Sequence, residues 1–293
     1  MSFEQVHRVK VGDLEVAFRE AGDAQAGGRE PIVFVHGWPL SSLTWRKVIP
    51  ALASAAPARC LALDLLGAGE SPLEPERDHG LAAQAELVRG FLDALGLERV
   101  TLVGHDSGGS IARDVAVAAP ERVSRLVLAD TEVPGHKPPF VALLSLAARV
   151  PGSRSLLART FGSQTLARSP AGFGLCFADT GAFDFGEFHA ALVAPNARSE
   201  AASRCAHKFL LDFDFGEVDA LASRYPALTM PKLLIWGDRD RFFPLAQGRR
   251  LCEMLPEPRQ LEVVPGAGLF VHEEKPEEWI RAVRSFLAQA PGS

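Results

Sequence analysis

The hexapeptide GHDSGG, residues 104–109, offers two side chains able to attack a substrate, Asp106 and Ser107, and the choice between them governs how the rest of the chain is read. A sharp strand-to-helix turn displays one nucleophile and needs small residues two places before and two places after it, because the backbone there is too crowded for a side chain. With Asp106 at the apex those places hold Gly104 and Gly108; with Ser107 there, the first would hold His105. The spacing selects Asp106 as the nucleophile. Ser107 then contributes its backbone N–H, at the start of the following helix, to the stabilisation of an oxyanion.

The run entering this turn, RVTLVGH, belongs to a series with PIVFVHG, ARCLALD, RLVLAD, KLLIWGD and LEVVPG. These apolar segments alternate with helix-period stretches such as AAQAELVRGFLDALG and PEEWIRAVRSFLAQA. Strands apolar on both faces and separated by helices specify the α/β class, with a mostly parallel sheet covered on both sides. Ahead of it, VHRVKV and LEVAFREA, joined at Gly12-Asp13, predict a β-hairpin.

Between about Pro134 and Ala222 the strand rhythm stops. Helical patterns (FVALLSLAARV, SRSLLARTF, EAASRCAHKFLLDF) replace it, and ten of the 18 phenylalanines fall there. The chain thus divides into a core, residues 1–133 and 223–293, and a helical cap, residues 134–222, expected to roof the carboxyl edge of the sheet, where open α/β sheets bind ligands. Several cap rings are expected to line an apolar pocket and the others to pack the cap itself.

With 47% hydrophobic and 23% charged residues, the 293-residue chain can bury a sizeable core. Its net charge of −5 gives no footprint for nucleic acid or an anionic membrane surface, so the expected partner is an apolar small molecule, with the oligomeric state left open. The opening MSFEQVHRVKVGD carries charges where a signal peptide needs an apolar stretch, and no run approaches the ~18 apolar residues of a membrane span, which predicts a cytoplasmic protein. Cys60, Cys176, Cys205 and Cys252 are scattered and read as reduced thiols rather than as a zinc or disulfide framework.

Four ordered stretches, FVHGWP, GHDSGG, IWGDRDRFFP and VPGAGLFVHEEKPEEW, resemble the α/β-hydrolase fold family over nearly all of the core. An aspartate at the nucleophile position resembles its epoxide hydrolase and haloalkane dehalogenase branch; esterases and lipases carry serine there. The resemblance implies a carboxylate that attacks a saturated carbon, opening an epoxide or expelling a halide, and an ester that water later hydrolyses, with neither metal nor organic cofactor. It also implies that the N–H of Trp38, within His36-Gly37-Trp38-Pro39, completes the oxyanion hole with Ser107, that His36 and His105 support the turns, and that Asp240 of GDRD is the triad acid. Asp238 is its rival, able to bond locally to the turn. The family's second acid location, after RLVLAD, offers Asp130 and Glu132, with Glu132 as the reserve.

One position departs from this pattern. Relatives carry the catalytic histidine directly after GAG, where this chain has Leu269; His272, three residues on, matches a second polar position that is not normally the base. Leucine can neither be oriented by Asp240 nor take a proton from water, so the hydrolytic step should be impaired. Three readings stay open: a replacement that traps the covalent ester, a fold turned to other use, or a base supplied by another histidine (His272, His136, His189 or His207). Ser107 stands where dehalogenases often hold halide with a tryptophan, and the sole tyrosine, Tyr225, is the alternative to the paired lobe tyrosines of epoxide hydrolases. Arg113 is more distant from the nucleophile than the substrate-binding arginine of fluoroacetate dehalogenases. The predicted function is hydrolysis of a hydrophobic epoxide or alkyl halide through an Asp106 ester. The alternative is a lyase, isomerase, cyclase or small-molecule receptor using the same pocket.

Overall fold

The opening hairpin forms about Gly12, whose φ of +61° is the left-handed value such a tight turn requires. It joins β1 (Val6–Val11) to β2 (Leu14–Ala21) in antiparallel register. Each of the six apolar runs then contributes a strand: β3 (Ile32–Val35), β4 (Cys60–Leu63), β5 (Val100–His105), β6 (Val123–Ala129), β7 (Lys232–Gly237) and β8 (Arg259–Val264). This computed structural model describes residues 3–22, 30–55 and 58–289.

The eight strands form one sheet in the order β1-β2-β4-β3-β5-β6-β7-β8, parallel from β4 to β8 and antiparallel where β2 meets β1 and β4. Alternation along each strand divides its side chains between two cores. Val33, Val35 and Leu102 face one side with the helices Leu81–Ala94 and Ser107–Ala118; Ile32, Phe34 and Val103 face the other with Trp45 and with Trp279 of the helix Pro276–Ala288. Burial on both faces is why β3 to β7 read as continuous apolar runs, whereas in β8, at the sheet edge, only Val264 is buried.

The chain passes from β3 outward to β4 and returns to β5 on the other flank of β3, so the loops after β3 and β5 flank a crevice at the carboxyl edge. Register brings the remaining loops to the same edge. Val35 lies opposite Gly104, His105 opposite Ala129, Ala129 opposite Ile235, and Gly237 opposite Val264.

Among the described residues, 134–222 contain no strand; their longest helices are Pro139–Ala147, Ser153–Gly162 and Glu200–Asp212. Six of the ten phenylalanines of this segment line a cavity against the sheet edge. The other four, Phe177, Phe183, Phe185 and Phe188, pack on one another at centroid separations of 4.5 to 6.2 Å. No helix of the described residues is long and apolar enough to cross a membrane.

Candidate functional site

The turn after β5 is as crowded as its glycines suggest. Asp106 takes φ +53° and ψ −133°, a costly conformation for a residue with a side chain, held by its own backbone bonds. Its N–H donates to the carbonyls of Ala129 and Asp130 at 3.2 Å, and its carbonyl accepts from Gly109 N–H and Thr131 Oγ1, both at 2.8 Å. A Cβ on Gly104 would collide with the carbonyl of Gly108, one on Gly108 with those of Val35 and His36, and one on Gly37 with the Asp106 carboxylate. Gly108→Ala is therefore expected to lower the stability by about 1–3 kcal/mol through overpacking against rigid backbone. Gly162→Ala, whose added carbon would meet only ordinary van der Waals contact, should change little; denaturant titration of both variants compares them.

Asp106 lines a cleft with a cavity of about 120 Å³. Its ionisable lining residues are Asp106, Glu132 and Cys176, set among rings and aliphatic chains from the helical segment, with Ser107, Ser145 and Thr160 as hydroxyls. Neither histidine nor tyrosine lines it. Burial first, then the charge of Glu132, lifts the Asp106 carboxyl well above the usual carboxylate range, while the amides of Ser107 and Trp38 pull it back by hydrogen bonding. Trp38 N–H also donates to Ser107 Oγ at 3.0 Å, and the Trp38 indole donates to the Ala206 carbonyl at 2.8 Å, which commits the ring nitrogen to the helix Glu200–Asp212.

Leu269 shares the cleft wall with Asp106. Its N–H donates to the Cys176 carbonyl and its own carbonyl meets His105 Nε2, each at 2.8 Å, so the backbone at this position is pinned from both sides. Glu274 reinforces the loop by accepting from Gly268 N–H at 2.6 Å through one oxygen and from Ala178 N–H at 2.9 Å through the other. Asp240 is buried beside this wall, and its Oδ1 accepts from the amides of Phe242 at 2.7 Å and Phe243 at 3.0 Å. The local bonding to the turn expected of Asp238 thus belongs to Asp240. Asp238 instead accepts from Gly266 N–H at 2.7 Å across the loop, because it lies at the carboxyl end of β7 opposite the end of β8.

The remaining oxygen of Asp240 has no N–H or hydroxyl donor, and neither has Oδ2 of Asp130. The two buried carboxyls lie near one another, and the pKa of each is raised. Asp130 accepts from Gly237 N–H at 2.9 Å, yet burial and the charge of Asp240 lift its carboxyl well above the ordinary range. Burial pushes Asp240 up to about 6 against the two opposing amides.

Glu132 lies on the cleft wall with Oε2 accepting from Ser110 Oγ at 2.7 Å and Thr131 Oγ1 at 3.1 Å. Behind it the guanidinium of Arg113, fully buried, donates to the Glu132 carbonyl at 2.6 Å, Ser110 Oγ at 2.7 Å and Tyr225 Oη at 2.6 Å. Tyr225 is consequently spent inside the core and stands off the cleft wall, away from the position needed to protonate an epoxide. This buried cation was invisible as such in the sequence. Its trace is the i, i+3 spacing of Ser110 and Arg113, which sets both on one face of the helix Ser107–Ala118.

The alternative histidines also stand off the cleft. His272 meets Thr44 Oγ1 at 2.7 Å through Nε2 and stacks on Trp45 at 4.7 Å, on the opposite side of the sheet edge. His136, His189 and His207 bond the carbonyls of Phe242, Phe161 and Ala148 at 2.8 to 2.9 Å. His36 accepts from Leu65 N–H at 3.1 Å and bonds the Gly37 carbonyl at 3.0 Å, bracing the loop that carries Trp38.

A sequence profile described as "alpha/beta hydrolase fold" matches residues 30–276. Haloalkane dehalogenase 2 of Mycobacterium tuberculosis is 31% identical over 261 residues, covering 88% of this chain and 87% of its own. The mouse sn-1-specific diacylglycerol lipase ABHD11 is 27% identical over 270 residues, covering 88% and 80%. Among solved structures, haloalkane dehalogenase DbeA from Bradyrhizobium elkani superposes with a TM-score of 0.79 at 24% identity, covering 97% of each chain. Dehalogenases and a lipase stand side by side in this set, so similarity supports a hydrolase and leaves the nucleophile and substrate to the site itself. With its strand order, its glycine-framed turn and a profile match spanning most of its length, this chain belongs to the α/β-hydrolase fold family.

Proposed function

We propose that the protein captures an apolar electrophile, an epoxide or alkyl halide, as an ester on Asp106 and is slow to release it. The observation that carries this reading is the Asp106 carboxyl on a strained turn, facing an apolar cleft, with the amides of Ser107 and Trp38 opposing the rise of its pKa and leucine at the position of the base. One carboxylate oxygen attacks the saturated carbon; the halide leaves with the bonding pair, or the epoxide C–O bond breaks and its alkoxide takes a proton from water. The other oxygen becomes the ester carbonyl. Negative charge forms on it when water attacks, and the amides of Ser107 and Trp38 are placed to receive that charge. Leu269 cannot take the proton of that water, and no histidine lines the cleft to do so.

Intact-protein mass spectrometry after exposure to a panel of epoxides and alkyl halides should show a single stable adduct, absent in Asp106→Asn. Because burial and Glu132 raise the Asp106 pKa, its nucleophilic, ionised form grows with pH, so adduct formation should accelerate as pH rises. An adduct that persists in Asp106→Asn would remove Asp106 from this role. The histidine-free cleft also favours a second reading, a non-hydrolytic enzyme or receptor for an apolar ligand. Saturable binding of such compounds with no mass increase at any pH would select it.

A further inference from the structure

The large apolar side chains left exposed among the described residues are Leu143, Leu146, Val150, Leu156 and Leu166, all within one stretch of 24 residues. The helix Pro139–Ala147 is apolar on both sides. Phe140, Val141 and Leu144 wall the cleft, while Leu143 and Leu146, each 64% exposed, face away, and Val150 in the turn that follows is exposed as well. The helix Ser153–Gly162 repeats the arrangement, with Leu157 and Phe161 inward and Leu156, 66% exposed, outward.

Charge on this stretch has one sign. From Val133 to Ala178 the chain carries Lys137, Arg149, Arg154, Arg159 and Arg168 and no aspartate or glutamate, an asymmetry that the net charge of −5 averages away. Glu200 pairs with Arg154 at 3.0 Å, whereas Arg149 and Arg159 are exposed and form no ion pair among the described residues. Exposed leucines interleaved with uncompensated cations fit a bilayer bearing anionic headgroups: the alkyl chains enter the acyl boundary and the guanidiniums meet phosphates. A second copy of the same face would set four cations, without ion pairs among the described residues, against four, which opposes a symmetric dimer through it.

We propose that the surface formed by residues 137–168 docks on an anionic lipid surface, so that the two helices walling the cleft lie against the bilayer and apolar ligands reach the cleft from the lipid phase. This holds whether or not Asp106 forms an ester.

Co-sedimentation of the intact protein with vesicles tests it. Binding to phosphatidylcholine vesicles containing phosphatidylglycerol should be at least about tenfold stronger than to phosphatidylcholine alone, and should weaken with added salt. Arg149→Glu and Arg159→Glu should each lower the partition coefficient roughly fivefold or more. The triple variant Leu143→Ser, Leu146→Ser, Leu156→Ser should lower it at least about tenfold with an unchanged thermal midpoint, because these side chains are exposed in the free protein. Absence of vesicle binding, equal binding by wild type and these variants, or a concentration-dependent dimer in sedimentation velocity that the leucine substitutions abolish would overturn the proposal.

Discussion

Replacing Leu269 with histidine is expected to raise the rate of Asp106 ester release by about 10²–10⁴-fold, the usual contribution of a positioned general base. The backbone at this position is already held, by Cys176 through its N–H and by His105 through its carbonyl, and the side chain already lines the cleft shared with Asp106. Asp240 Oδ2 has no hydrogen-bond partner among the described residues, so it is free to accept from an imidazole N–H that reaches it. With a cation able to form there, Asp240 would no longer be favoured in its neutral form, and its pKa should fall from about 6 toward the ordinary carboxylate value. Single-turnover mass spectrometry follows the lifetime of the adduct, and NMR titration follows Asp240. An adduct of unchanged lifetime in a correctly folded Leu269→His variant would show that the missing base does not limit release.

Stability should fall as pH rises through the range in which the buried carboxyls ionise, by about 3 kcal/mol for Asp240 alone. The sign follows from the direction of the shift. A carboxyl whose folded pKa is raised binds more protons in the folded than in the unfolded state, so its full contribution is present below about pH 4 and is lost as pH climbs through about 6. Asp106, Asp130 and Glu132 are shifted the same way by burial, and the loss extends to higher pH for the first two. His105, lowered to about 4 by burial, and His272, lowered well below its ordinary value, act oppositely, since the unfolded chain protonates them first as pH falls. Comparing Asp240→Asn with wild type isolates the acid pair, because the histidines are common to both. Asparagine can keep the bonds from Phe242 and Phe243 through its carbonyl oxygen and donate to Asp130. Urea titrations at pH 4 and pH 8 should show a smaller decline for the variant. Equal declines in the two proteins would mean that Asp240 does not titrate as a buried partner of Asp130.

The sequence by itself determined the features that depend on neighbours close along the chain. Glycine spacing around Asp106 specified the strained turn because the clash it avoids is with backbone a few residues away and with the strand next to it. Continuous apolar runs specified the inner strands because both their faces are covered, and Gly12 marked the hairpin because its φ is positive. Tertiary structure alone decided where equivalent side chains were sent. Asp238 and Asp240 differ in role because only Asp240 turns inward to meet Asp130. His272 goes to Thr44 and Trp45, and Tyr225 to Arg113, because those partners arrive from segments distant in sequence. The helix Pro139–Ala147 makes the physical limit plain. Being apolar all round, it carries no periodicity that tells its cleft face from its outer face, and only its place over the cleft decides that Leu144 is half-buried while Leu143 remains exposed.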